Sequence, residues 1–293
     1  MENQEKTNWH DKSYKLLLLL PLAIILFSII YLFMFYNTNG DIFKKDITLT
    51  GGTSITIYDK ISLSELTSSL EGKLIDLNVR ETSDLFTGEQ TSLIIETTSS
   101  DTEAKQLIEE ILGYELTEEN SSFTFTGASL SKSVYKQLLL AILVAFVFMA
   151  IVVFLIFKDL VPSGAVVLSA FANILMTLVV VDLVGIKMST AGIIAFLMLI
   201  GYSVDTDILL TSRVLKRSDG TVNERLAGAL KTGLTMTLTS FFAMLVALFV
   251  VKSFSVVLTQ IFTILVIGLF FDMFNTWITN ASLLKWYVLR KRK

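Results

Sequence analysis

The chain has 293 residues, 53% of them hydrophobic, and a formal net charge of −3; its mean hydropathy of +0.65 lies well above that of ordinary soluble domains. With no cysteine and one histidine, disulfides and thiolate metal sites are excluded and little scope for zinc remains. Only Pro21 and Pro162 are prolines, so most long helices should run unbroken.

In chain order, a tail of residues 1–15 precedes the first apolar stretch, 16–36. That stretch exceeds a signal-peptide core, and Asn37-Thr38-Asn39 is no small-residue cleavage site, so an uncleaved anchor is expected. Five further stretches, 137–157, 164–184, 189–210, 234–251 and 258–279, are each near the roughly 20 residues a spanning helix needs. They belong to a membrane domain over 135–284, followed by a basic tail, 285–293. The links at 158–163 and 185–188 are short, which makes neighbouring spans antiparallel.

Residues 37–134 differ in period and charge. They hold 17 acidic and 7 basic residues, against 10 acidic and 17 basic in the rest of the chain, so an acidic soluble insertion sits in a basic membrane part. Ile47, Leu49, Ile55 and Ile57 alternate as in strands around Gly51-Gly52, and Leu63, Leu66, Leu70 and Leu74 recur at helical spacing. Ile75, Leu77 and Val79 alternate again, 92–97 is another strand, and Ala104, Leu107, Ile108 and Ile111 return to helical spacing. Phe123 and Phe125 close the series. The order β-α-β-β-α-β is the ferredoxin-like pattern. The predicted fold is therefore a polytopic α-helical membrane protein with six transmembrane helices and an extracytoplasmic α+β ferredoxin-like domain between the first two. Asn120-Ser121-Ser122 is a glycosylation sequon, of consequence only in a host that glycosylates.

Short loops set the orientation. Lys6, Lys12, Lys15, Lys158, Arg213, Lys216, Arg217, Arg225, Lys231, Lys285 and the basic C-terminus share one side, and only Lys187 and Lys252 stand on the other. Both termini are expected in the cytoplasm and 37–134 outside. Ser218-Asp219-Gly220 reads as a turn, and Glu224, Arg225, Leu226, Ala229 and Leu230 as a separate amphipathic helix on the cytoplasmic surface.

No phosphate-binding glycine loop, paired-histidine metal motif or nucleophile elbow occurs. His10 lies in a polar tail. No catalytic residue, metal, cofactor or nucleic-acid partner is expected; the lipid bilayer is the medium. What remains is a set of polar groups inside spans. A charged Asp at a helix centre costs on the order of 2.5–3.5 kcal/mol on insertion scales, so it should face helices, line a wet cavity or be protonated. Asp205 and Asp207 point about 200° apart on a helix. Asp205 aligns with Tyr202 and Leu209, and Asp207 with Ser203, Leu210 and Thr211. Asp205, the deeper acid, is read as the main protonatable group of a proton or ion path, with Lys231 its neighbour across the fourth and fifth spans; a snorkelling interfacial lysine is the alternative for Lys231. Asp207 is read as reaching the interface or pairing with Arg213. Asp272 stands near Asn275, Thr276 and Asn280 as either a packing contact or an ion-path residue. Thr232, Thr235 and Thr239 form a stripe whose hydroxyls are expected to bond across helices or hold water. Asn173 is read as an interhelical contact and Asp182 as interfacial.

These motifs resemble those of SecF, the family of smaller subunits in the SecD–SecF accessory complex of the Sec protein translocase. The layout of one span, an external domain and five spans agrees, and Thr50-Gly51-Gly52-Thr53 is similar to the family's Gly-Gly strand. Gly201-Tyr202-Ser203-Val204-Asp205 with Arg213 resembles its fourth-helix motif. Lys231-Thr232-x-x-Thr235 falls where the family's fifth helix commonly begins with Arg-Thr. Asp272, Asn275-Thr276-Trp277 and Asn280-Ala281 look like the archaeal form. Two departures stand out: bacterial members usually have Asn-Asp where this chain has Asp205-Thr206, and the family's arginine is Lys231 here. The resemblance implies a subunit that promotes export of secreted proteins across the cytoplasmic membrane, driven by the proton gradient. Its implied partners are SecD, the Sec translocation channel and unfolded exported polypeptides. Two other readings are a half-transporter of a small molecule or lipid related to resistance-nodulation exporters, and a passive scaffold that binds unfolded chains.

Overall fold

The computed structural model describes residues 17–216 and 220–291. The tail 1–15 with Lys6, His10, Lys12 and Lys15, residue Arg217, the Ser218-Asp219 half of the expected turn, and residues 292–293 lie outside the described residues.

The first span, α1 (Leu19–Asn39), carries Pro21 near its start, where a missing N–H costs least, and stops at Gly40 in the left-handed conformation, φ 76°. A single helical turn, α2 (Ile47–Thr50), follows. The alternation of Ile47 and Leu49 suggested a strand there; Asp46 decides otherwise. Its carboxylate accepts the Thr48 N–H at 2.8 Å and the Thr48 hydroxyl at 2.6 Å, an N-cap that commits the next residues to helix.

An α+β unit then runs β1 (Gly52–Ile57), α3 (Leu63–Leu70), β2 (Asn78–Ser83), β3 (Gln90–Thr97), α4 (Asp101–Leu112) and β4 (Ser121–Thr126). The four strands form one antiparallel sheet in the order β2-β3-β1-β4, with Ile55 opposite both Ile95 and Phe123. Ile55, Ile57, Leu93 and Ile95 bury one sheet face against Leu66, Leu70, Ala104 and Ile108 of the two helices. Burial of each such side chain contributes about 1.5–3 kcal/mol, and that face is what fixes the register. Ile75 and Leu77, expected in the second strand, precede it: Asp76 is left-handed at φ 56° and breaks the extended run, leaving Ile75 68% exposed.

Among the described residues six helices are long and apolar enough to cross a membrane. After α1 these are α5 (Ala128–Phe157), α6 (Leu160–Leu183), α7 (Thr190–Lys216), α8 (Val222–Val251) and a 36-residue helix, Val256–Lys291. The last comprises α9 (Val256–Phe274), a π-helical stretch (Asn275–Asn280) and α10 (Ala281–Lys291). Most of the expected tail 285–293 is thus helix. The separate surface helix is also absent: those residues open α8 without a break, capped by a reciprocal Thr221–Glu224 box. Helices α6 and α7 are the most buried, whereas α1, α5 and α8 keep most of their surface exposed.

The α+β unit is bonded to the loops that join α6 to α7 and α8 to α9. Met188 donates its N–H to the Lys44 carbonyl at 2.6 Å and accepts from Asp46 N–H at 2.9 Å. Thr190 N–H donates to the Thr48 hydroxyl at 2.9 Å, Ser83 N–H to the Ser253 carbonyl at 2.7 Å, and Lys187 to Asp76 at 2.6 Å. Asp182 lies in the last turn of α6, buried against α1, where the Tyr31 hydroxyl donates to it at 2.6 Å.

Candidate functional site

Three helices each carry polar residues at spacings of four: Ser169, Asn173 and Thr177 on α6; Ser203, Asp207 and Thr211 on α7; Asp272, Thr276 and Asn280 across α9 and the π-helical stretch. Residues four apart share a helix face. All nine are buried, with exposures of 0–1%, so three apolar helices turn their polar stripes toward one another in the middle of the bundle. In a bilayer this is where polar side chains can be satisfied, because lipid offers no partners.

Two carboxylates anchor the cluster. Asp207 accepts from the Asn280 amide at 2.7 Å and the Ser169 hydroxyl at 3.3 Å. Asp272 accepts from the Ser203 hydroxyl at 2.5 Å and the Thr206 hydroxyl at 3.2 Å. The Thr276 side chain lies against both acids, though its hydroxyl completes no hydrogen bond among the described residues. The Asn275 amide points the other way, to the Met176 sulfur at 3.4 Å, and accepts from the Thr279 hydroxyl at 3.2 Å. A π-helical turn widens the backbone, and such turns occur frequently at functional sites; here it begins three residues after Asp272 and ends at Asn280.

The two acids of α7 differ in burial. Asp207, read as interfacial or paired with Arg213, is fully buried. The face it shares with Ser203, Leu210 and Thr211 is the packed one. Arg213 is six residues on, about 240° around the helix, and its guanidinium donates instead to the Gly228 carbonyl of α8 at 2.5 Å. Asp205, read as the deeper acid and the main protonatable group, is exposed, in a stripe with Ile194, Met198 and Gly201. Tyr202 beside it is half-buried against the apolar core.

Lys231 is exposed on α8 and makes no ion pair with Asp205 within 4 Å among the described residues. The two nonetheless flank one helix crossing, where Thr206 of α7 and Trp277 of the π-helical stretch approach Gly233 of α8. Among the described residues the threonine stripe does not bond across helices. Thr232, Thr235 and Thr239 donate to the carbonyls of Gly228, Lys231 and Thr235 at 3.3, 2.7 and 2.7 Å. Each hydroxyl thus satisfies itself on its own helix, and Thr235 and Thr239 stay exposed.

Thr276 and Asn280, expected near Asp272, do join the interior cluster, and Ser169 and Thr206 complete it although the sequence assigned them no role there. The available signal was the repeat of four on each helix, obscured because the π-helical stretch continues past the expected end of the last span. Lys285, 1% exposed, donates to the Asn223 side chain at 2.8 Å. It fastens α10 to the start of α8 on the basic side of the bundle.

Comparison with known proteins supplies the context. Residues 107–290 match the family model described as protein export membrane protein SecD/SecF, C-terminal. A protein-export membrane protein SecF from Methanocaldococcus jannaschii is 41% identical over 288 residues, covering 96% of this chain and 98% of that one. Its counterparts from Methanothermobacter thermautotrophicus and Haloferax volcanii are 39% and 34% identical, covering 94% and 91% of this chain and 93% and 90% of theirs. Among solved structures, the crystal structure of SecDF, a translocon-associated membrane protein from Thermus thermophilus, superposes with a TM-score of 0.73 at 18% identity over 96% of this chain. SecDF in its super-membrane-facing form gives 0.62 at 17% over 93%. This chain spans 38% of the length of each of those SecDF chains.

Proposed function

The chain belongs to the SecD/SecF family of protein-export membrane proteins, and on that premise we propose that it is a SecF-type accessory subunit of Sec protein export that works beside a second six-span subunit of the SecD type and the translocation channel. The observation that carries the partner reading is Asp205. A carboxylate on an exposed stripe of a spanning helix is costly against lipid, and a second helical subunit laid over α7 and α8 would remove that exposure. The same cover would reach Lys231, Thr235 and Thr239, which are exposed on α8. The 38% share of the SecDF chains is consistent with one subunit of two.

In this reading the soluble unit is a ferredoxin-like domain on the outer side, where unfolded exported chains emerge, and both termini are cytoplasmic. Lys158, Arg213 and Lys216 on one side, against Lys187 and Lys252 on the other, support it. The acids supply the drive. Moving one charge through the membrane potential is worth about 2.3 kcal/mol per 100 mV, and it acts on the outer domain only if protonation differs between two arrangements of the bundle. Asp205 with Lys231 at the partner face, and Asp207 with Asp272 inside, are the proposed ion path. The bonds from Met188, Thr190 and Ser253 to the soluble unit would carry helix movements outward.

Two measurements test this. Affinity purification from native membranes should recover a SecD-type subunit and Sec components; recovery of the chain alone as a homo-oligomer would point to a small-molecule transporter. In membrane vesicles with an imposed proton gradient, Asp205→Asn should abolish the gradient-dependent part of export while leaving assembly intact. Normal stimulation in both Asp205→Asn and Asp272→Asn would reject the ion path.

A further inference from the structure

On the basic side of the bundle, a cleft of about 420 Å³, within the size range of ligand sites, lies where several elements meet. The end of α5 and its link to α6 supply Phe157 and Asp159, the end of α7 Lys216, the start of α8 Arg225, and α10 Tyr287 and Lys291. None of these residues belongs to the interior acid cluster.

The lining holds three cations and one carboxylate, and their contacts show which charges are already met. Asp159 accepts from the Tyr287 hydroxyl and from Lys291 at 3.2 Å, and Lys291 also donates to the Tyr287 oxygen at 3.0 Å. The acid and Lys291 therefore compensate each other. Arg225 is fixed in the wall, where it donates to the Val214 carbonyl at 2.8 Å. Lys216 is exposed in the last turn of α7 and forms no ion pair within 4 Å among the described residues. Its ammonium stands 5.7 Å over the Phe157 ring, a cation–π contact that holds it beside the cleft. A guanidinium and an ammonium on one cleft suit phosphate oxygens.

The apolar surface beside the cleft says which phosphate. Ile151, Phe154 and Phe157 follow one another at spacings of three along one side of α5. Phe157 lines the cleft, whereas Ile151 and Phe154 line a groove of about 610 Å³ between α5 and α6, with Leu160, the neighbour of Asp159, and Phe171. Phe154 and Leu160 are exposed. A cationic cleft at the end of the spans, continued along one helix by an apolar groove, matches a phospholipid, whose phosphate lies at the membrane surface and whose chains enter the apolar layer. A free phosphate has no use for the groove. Basic pockets between spanning helices are suited to anionic headgroups.

We propose that this cleft binds the headgroup phosphate of an anionic phospholipid through Lys216 and Arg225, with an acyl chain laid in the α5–α6 groove along Phe154 and Ile151. This site lies apart from the ion path and does not rest on the export reading.

The test uses the full chain in a neutral detergent, with dioleoylphosphatidylglycerol, dioleoylphosphatidylcholine or sodium phosphate added at equal ionic strength. Native mass spectra should retain phosphatidylglycerol, and it should raise Tm by more than phosphatidylcholine or sodium phosphate does. Lys216→Gln should weaken the phosphatidylglycerol response about fivefold, and Lys216→Glu should weaken it further. Lys132→Gln, the same charge change at the opposite end of α5, should leave the response unchanged. Phe154→Ala tests the acyl-chain half and should lower retention of the dioleoyl lipid severalfold, whether or not the Lys216 variants fold. Equal responses to the two lipids overturn the proposal, as does an unchanged response in Lys216→Glu or Phe154→Ala. An equal response to sodium phosphate would mark an anion site rather than a lipid site. A loss in Lys132→Gln as large as in Lys216→Gln would mean that overall charge alone attracts the lipid, and either result rejects the assignment.

Discussion

Asn280 donates its side-chain amide to the Asp207 carboxylate across 2.7 Å, joining the π-helical stretch to α7 at the centre of the bundle. Both residues are fully buried, so removing the amide leaves a carboxylate oxygen short of its best donor. Asn280→Ala should destabilise the chain by about 1.5–3 kcal/mol, the range for a hydrogen bond to a charged group or the loss of a buried partner. A double-mutant cycle with Asp207→Ala, read by thermal unfolding in detergent, should give a coupling of about 1 kcal/mol or more. Additive effects would show that the two residues do not act together.

Asp205 should behave in the opposite way. It is exposed and its side chain forms no hydrogen bond or ion pair among the described residues, so Asp205→Asn should change the stability of the isolated subunit by no more than about 0.5 kcal/mol. Asp207→Asn, at a site with no surface, should cost more. Melting curves of the two variants side by side check this, and a larger loss in Asp205→Asn would contradict the assignment of faces.

The contrast shows where the sequence was readable. Apolar length marked every span, because lipid demands it, and the β-α-β-β-α-β order followed from the switch between periods of two and of three to four. Angular arithmetic also placed Asp205 and Asp207 on opposite faces. What it could not decide was which face packs, since that depends on neighbours: α7 has Ile193, Phe196, Leu199 and Ile200 buried and only a narrow exposed stripe. The hydroxyls of Thr235 and Thr239 were legible as a stripe but not as self-bonded, because bonding to the same helix and bonding across helices need the same spacing. The turn at Ile47–Thr50 was misread because a cap at Asp46 outweighs two alternating apolar residues.

Gly51 makes the junction between the α+β unit and the bundle sensitive to a single methyl group. Its φ is 87°, and an added Cβ would stand 2.5 Å from Ala128 Cα and 2.6 Å from Ala128 N. Both backbone strain and a clash with the first residue of α5 follow. Gly51→Ala should cost roughly 2–4 kcal/mol and expose the segment between α2 and β1 to protease. Limited proteolysis of the full chain measures this, with Gly72→Ala as a comparison: Gly72 also has a positive φ, 77°, but nothing within 4 Å of an added Cβ. Equal sensitivity of the two variants would assign the effect to strain alone.

Asp46 gives the junction a pH dependence of definite sign. Burial raises its pKa from 3.8 to about 6, partly offset by the Thr48 hydrogen bonds. Between those values the folded chain holds the proton more tightly than the unfolded chain does. The contribution of this group is therefore complete below about pH 4 and is lost as the pH rises through 6. The whole shift corresponds to about 2–3 kcal/mol. Asp46→Asn keeps an oxygen that can accept from Thr48 N–H and its hydroxyl, and it cannot ionise. The variant should match the native chain near pH 4 and exceed its stability by about that amount at pH 7. The extra stability should be felt where Asp46 N–H bonds Met188, so protection of the loop between α6 and α7 from hydrogen exchange should rise with it. Unfolding of both proteins at pH 4, 5, 6 and 7 gives the comparison. A native chain that gains stability relative to Asp46→Asn as the pH rises would mean that the carboxylate is better satisfied when charged, and that its cap to Thr48 outweighs its burial.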